Sequence, residues 1–256
     1  MELLQATLNL GTFVLLMLAV LFAALMRAFS GFGFAMMAVP VFSLFLLPAD
    51  AVVLAAILTL SVSAITYKAW WGQFDARVFL PMLGGSVVGT AIGVLFLTTA
   101  STTEFQLWIG ITVVVACVFV SRLKPGVGGD VRFLPSATGV ASGLMNGAFA
   151  IPGPPVIAYA MICIPEPAKS RAFLMAFFFA SNAIAFGMFL NAGVVTTTPL
   201  VLLLVAMPVM IMGDRLGAWL FHRVGGAAYR PVAFVVSMAI GVALIVKALW
   251  FSGGTP

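Results

Sequence analysis

Apolar runs fill almost the whole chain, and each is closed by a charge, a proline or a cluster of glycines. Polar positions are too sparse to mark a helix face or a strand alternation, so run length decides the element type. A helix crossing a bilayer needs about 20 apolar residues. Cutting at the interruptions predicts about ten helical segments, near 3–26, 32–47, 51–67, 78–98, 104–121, 133–149, 152–164, 168–190, 199–221 and 230–251. The polar, glycine-rich stretch Ser121-Arg122-Leu123-Lys124-Pro125-Gly126-Val127-Gly128-Gly129-Asp130 is the one linker of note, and it leaves five segments on either side.

The two halves resemble each other. Gly33 before Pro40 answers Gly153 before Pro154-Pro155, Ser61 answers Ser181, and Gly85-x-x-x-Gly89 after Pro81 answers Gly213-x-x-x-Gly217 after Pro208. Asp50 opens the third segment much as the 166–171 stretch opens the eighth. Kept order predicts an internal repeat of roughly 120 residues: repeat 1 over 1–121, a cytoplasmic linker over 122–132, and repeat 2 over 133–256, together one transport domain.

Composition makes the membrane assignment firm. The 256 residues are 63% hydrophobic and 7% charged, with a mean hydropathy of +1.22, whereas soluble domains are roughly half apolar and a quarter charged. The expected fold class is an all-α integral membrane protein of two inverted five-segment repeats, with 8 to 10 transmembrane helices including broken or re-entrant hairpins. At about 13 residues, segment 152–164 is too short to span, and 133–149 is only a little longer.

Charge sets the expected orientation. With alternating segments, Arg27, Lys68, Arg77, Arg122, Lys124, Arg132, Lys169, Arg171, Arg223 and Arg230 fall on one side. Glu2, Asp50 and Glu104 fall on the other, with Lys247 the sole basic residue near that face. The positive-inside rule makes the basic side cytoplasmic. Both termini are then extracytoplasmic, in a multi-pass protein of the cell inner membrane, and an odd number of segments per repeat inverts the second copy. A basic n-region is absent before the first run, so that run is expected to stay as a helix. The net charge of +5 comes from single residues at segment ends, not from a basic cluster, so no nucleic-acid partner is expected. The expected partners are the lipid bilayer and a small anionic substrate, with homo-oligomerisation left open.

Candidate chemistry sits where the runs break. Gly139, Gly143, Gly147 and Gly153 let backbones approach, while Pro152, Pro154 and Pro155 remove amide donors and stop regular helix. Broken backbone in lipid must be buried in protein or line a polar cavity, and a helix restarting there aims amides and its positive dipole end inward, which favours an anion. Ser142, Gly143, Asn146, Gly147, Gly153 and Tyr159 are the candidates there, and Ser30, Gly31 and Gly33 at the first break. Arg27 reads either as a membrane-edge anchor or as a buried cation beside the anion. Lys169 and Arg171, ahead of Asn182 on the eighth segment, read either as edge anchors with a packing amide or as a cationic substrate entry leading to a polar side chain. Asp214, within reach of Arg215, is the acidic residue considered for proton coupling. Gly85-x-x-x-Gly89-x-x-x-Gly93 and Gly213-x-x-x-Gly217 are read as close helix contacts.

Enzyme signatures are absent. His222, placed in a loop beside Arg223, is the sole histidine, Cys117 and Cys163 stand alone, and no zinc, nucleophile-elbow or phosphate-loop motif occurs. No enzyme activity, no metal and no cofactor are expected.

The Gly-rich breaks followed by proline, the Gly153-Pro154-Pro155 run leading to Tyr159, and Arg171-Ala172-Phe173 leading to Asn182 are similar to the TauE/SafE family of sulfite and sulfonate exporters, over nearly the whole chain. The sequence departs at Gly33-Phe34-Ala35, where the family has three glycines, and at Asn146-Gly147, where more glycine is common, which leaves the substrate open. The resemblance implies secondary transport, commonly outward, of small sulfur-containing anions such as sulfite or organosulfonates. Alternating access around a mid-membrane site formed by the two breaks is the expected mechanism. A non-transporting membrane scaffold or accessory subunit, and an anion channel, are the alternatives.

Overall fold

A computed structural model of the chain describes residues 10–30, 33–72, 74–122, 134–164, 166–224 and 229–252. Among them the chain forms ten α-helices and no strand: α1 Leu10–Ser30, α2 Phe34–Phe42, α3 Pro48–Ile65, α4 Ala76–Thr99, α5 Thr102–Arg122, α6 Leu134–Phe149, α7 Gly153–Cys163, α8 Pro167–Asn191, α9 Thr197–Val224 and α10 Tyr229–Ser252. The ten predicted segments each correspond to one helix. Among the described residues, six helices are long and apolar enough to cross a membrane: α1, α3, α4, α5, α8 and α9. Gly31, the linker from 123 onward and both chain ends lie outside the described residues, as does the Ser30 side chain. His222 belongs to α9 rather than to a loop.

Local chemistry explains the helix ends. Asp75 accepts a hydrogen bond from the Arg77 amide at the start of α4 (2.9 Å), a standard N-cap. At the start of α5, Ser101 and Glu104 satisfy each other's amides reciprocally, a capping box. Pro48, Pro154 and Pro167 open α3, α7 and α8, where the missing N–H costs no helical bond.

The second helix of each half is short. α2 has 9 residues and α7 has 11, or about 14 and 17 Å at about 1.5 Å per residue, against a hydrocarbon core of about 30 Å. Neither can cross alone, so the half-helix expected for 152–164 has a counterpart at 34–42. Left-handed backbone sits at each break: Gly33, just before α2, has φ 96°, and Ala150, just after α6, has φ 55°. Glycine tolerates that conformation, whereas alanine does so at a steric cost.

Packing interlocks the halves. α1 packs along α9 and α6 along α4, so the first helix of each half lies on the fourth helix of the other. α3 touches α9 as α8 touches α4, α10 touches α2 as α5 touches α7, and α3 with α8 and α5 with α10 pair directly. Exchanging the halves reproduces these pairings, which is compatible with a repeat. The α4–α6 contact runs on glycine: a Cβ at Gly85, Gly89 or Gly93 would overlap the backbone of Ser136, Val140 or Leu144, and one at Gly139, Gly143 or Gly147 that of Met82, Ser86 or Thr90. On the other side, Gly213 and Gly217 meet Leu21 and Leu25 of α1.

Candidate functional site

The two breaks meet. A cavity of about 40 Å³ is lined by Gly33 to Met36 from the first break and α2, by Ala150 to Pro154 from the second break and α7, and by Thr59 and Ser63 of α3, Met175, Phe178 and Asn182 of α8, Ile157 and Arg27. Its walls are nearly matched between the halves. Gly33, Phe34, Thr59 and Ser63 precede Pro152, Gly153, Phe178 and Asn182 by one common spacing, which is compatible with a repeat.

Arg27 is the cation of the cavity among the described residues. It occupies the last turn of α1 and is 7% exposed. Its Nη1 donates to Asp214 Oδ1 of α9 at 2.9 Å. The close α1–α9 contact at Gly213 and Gly217 brings the two chains near enough for this pair. Asp214 thus pairs across the halves with Arg27, not with its neighbour Arg215. One buried cation with one partner leaves most of the guanidinium's five donors for other acceptors.

On the first helix of the second half, Asn146 is fully buried. Its Nδ2 donates to the Ser181 carbonyl (3.0 Å) and hydroxyl (2.9 Å), tying α6 to α8. Ser142 Oγ donates to the Pro152 carbonyl at 2.6 Å, which pins the second break by one of the carbonyls that the lost helix sets free. Asn182, also fully buried, donates Nδ2 to the Phe178 carbonyl one turn back (2.8 Å). Among the described residues, the oxygens Asn146 Oδ1, Asn182 Oδ1, Thr59 Oγ1 and Thr90 Oγ1 are buried and without a hydrogen-bond partner. Such atoms cost free energy unless something arrives to satisfy them.

Not every candidate reaches the cavity. Arg27, Gly33, Gly153 and Asn182 line it. Ser142 and Asn146 brace the second break from behind. Gly143 and Gly147 face Ser86 and Thr90 of α4, as helix-contact glycines do. Tyr159 sits against Phe173 in an apolar cluster of α4, α7 and α8. Lys169 is exposed and paired with Glu166 at 2.7 Å, and Arg171 is exposed. Thr59 and Ser63 are the lining residues that sequence reading passes over. Their signal was a pair of hydroxyls one turn apart in an apolar helix.

A second, larger cavity of about 550 Å³ lies at the other end of the fold, lined by Ser43 to Leu47, Asp50, Thr102, Thr103, Gln106, Thr198, Lys247 and Ala248. Asp50 accepts from Thr196 Oγ1 at 2.5 Å, and Gln106 Nε2 donates to the Ser43 carbonyl at 2.6 Å. Asp50, Thr102, Thr103 and Lys247 are all residues that the charge pattern assigns to one face.

Comparison with known proteins gives the arrangement a context. A family model described as "Sulfite exporter TauE/SafE" matches residues 16–244. A protein of Cupriavidus necator named "Probable sulfite/organosulfonate exporter TauE" is 27% identical over 255 residues, covering 96% of this chain and 94% of the relative. No solved structure matches the chain.

Proposed function

Since the chain belongs to the sulfite exporter TauE/SafE family, we propose that it is a secondary exporter of small sulfur-containing anions, sulfite or short organosulfonates, in a bacterial inner membrane. The observation that carries this reading is the single cavity shared by both helix breaks and walled by a buried arginine. An ionised side chain at depth in a membrane protein is expensive and marks a substrate path more often than a structural need. Amides at the restarts of α2 and α7 add positive dipole ends to the same cavity, and this suits an anion far better than a cation or a neutral solute.

The mechanism follows from the topology. Two inverted repeats that each contribute a break can expose the shared site alternately to either face by rocking one bundle against the other. Arg27 and the amides at Gly33 and Gly153 hold the anion, Asn182 orients it, and Lys169 and Arg171 at a basic cytoplasmic mouth raise its local concentration. Small glycine contacts along α4–α6 and α1–α9 give surfaces able to slide. The chain needs no enzymatic step for this work.

Reconstituted proteoliposomes test the proposal. Sulfite or a short sulfonate should show saturable uptake and counterflow, and Arg27→Gln should cut the initial rate at least about tenfold, the scale of losing a charge-assisted hydrogen bond. Flux that never saturates and shows no counterflow would identify a channel. No flux from correctly inserted protein would leave the scaffold reading.

A further inference from the structure

The cavity carries acceptors as well as a cation, and that combination restricts what can fill it. Asn182 is fully buried, lines the cavity, and has no partner for Oδ1 among the described residues. Its amide cannot turn to offer N–H instead. Nδ2 is held by the Phe178 carbonyl at 2.8 Å, and a flip would set two carbonyl oxygens against each other. Thr59 Oγ1, on the same wall, is also buried and unpartnered, but a hydroxyl can donate to either kind of anion, so the discrimination falls to Asn182.

An aprotic anion satisfies Arg27 and leaves Asn182 Oδ1 bare. An anion with its own N–H or O–H satisfies both. The volume adds a second limit, since about 40 Å³ holds no more than a few water-sized groups, at about 10–15 Å³ each. We propose that the site selects small monoanions that carry a hydrogen-bond donor, such as a singly protonated oxyanion, over aprotic anions of the same size and charge, with Asn182 Oδ1 as the specificity-determining acceptor and Arg27 as the charge partner. The inference rests on the anion-transport reading and names the form of substrate that its site takes. Discrimination of this kind is strong because a missing donor leaves a desolvated acceptor behind.

Sulfamate and methanesulfonate provide the test, since both are monoanions of one shape, and NH₂ replaces CH₃. Binding of each to purified full-length protein in nanodiscs is measured by calorimetry, with thermal shift as a second readout. Sulfamate should bind about tenfold more tightly, from the cost of an unmet buried acceptor. Asn182→Leu should bring the ratio to about one, and Arg27→Gln should weaken both anions together. Should Asn182→Leu not fold, Asn182→Ala makes the same comparison with less bulk. Equal affinities in the unaltered protein, or a preference that survives both Asn182 variants, would overturn the inference while anion transport stood. Failure of both anions to bind would remove the anion-transport reading, and this inference with it.

Discussion

At the scale of single residues, the Arg27–Asp214 pair carries the largest energetic consequence. Arg27 is 7% exposed, and the Asp214 side chain is 25% exposed, so the arginine is the buried member. Removing the carboxylate alone strands a charge, which costs about 3–5 kcal/mol for a fully buried pair and less where one partner keeps some water. Asp214→Ala should therefore lower the thermal unfolding temperature of the purified protein by several degrees. Arg27→Met combined with Asp214→Met should recover most of the loss, because apolar replacement of both partners removes the stranded charge. An unchanged melting temperature in Asp214→Ala would show that the pair contributes nothing to folding. This pairing was illegible in the sequence. Asp214 and Arg27 lie 187 positions apart, and the nearer Arg215 was the obvious partner by proximity alone; only the α1–α9 contact, a tertiary fact, brings the distant pair together.

At the scale of elements, glycine spacing was legible and its exact mates were not. Four-residue glycine spacing predicts helix contact because it lines small residues along one face, and α4 and α6 do meet there. Which helix receives which glycine depends on backbone approach, not on spacing, so the sequence names neither α6 as the partner of Gly89 nor α1 as the partner of Gly213 and Gly217. The same limit hides the shortness of α2. An apolar run over 32–47 looks like one segment, but the left-handed Gly33 and the turn after Ser43 confine the helix to nine residues. Contact and exposure predict opposite results for two glycines of α4. At Gly89 a Cβ would strike the Val140 carbonyl, whereas at Gly84 it meets nothing within 4 Å. Gly89→Ala should force α4 and α6 apart and lower the yield of folded protein in mild detergent, by the several-fold that overpacking costs of about 1–3 kcal/mol imply. Gly84→Ala should be neutral or slightly stabilising, by up to about 1 kcal/mol, through helix propensity alone. Size-exclusion profiles of the two variants decide it, and equal behaviour would show that the contact has room to give.

For the whole molecule, the pairings impose a topology that a list of segments does not contain. Each first helix lies on the other half's fourth, so much of each half's packing is made against the other half. The cavity is a product of that interlocking: residues around Gly33 and around Ala150 share walls, although simple alternation of spanning segments would send those two breaks to opposite membrane faces. Both hairpins must therefore reach inward, which the short α2 and α7 allow. Inversion makes a sharper demand. Ala76 opens α4 and Thr197 opens α9, the fourth helix of each half, both are exposed, and an inverted repeat would place them on opposite faces. Lys68 and Arg77 near the first, and the absence of any Lys or Arg between Arg171 and Thr197 near the second, predict that Ala76 is cytoplasmic and Thr197 external. In a background with Cys117 and Cys163 replaced by alanine, Thr197→Cys should react with a membrane-impermeant maleimide on intact cells. Ala76→Cys should react only in inverted vesicles. Labelling of both from the same face would make the repeats parallel, because helix starts related by inversion cannot share a side, and the two breaks would then need a different route to their common cavity.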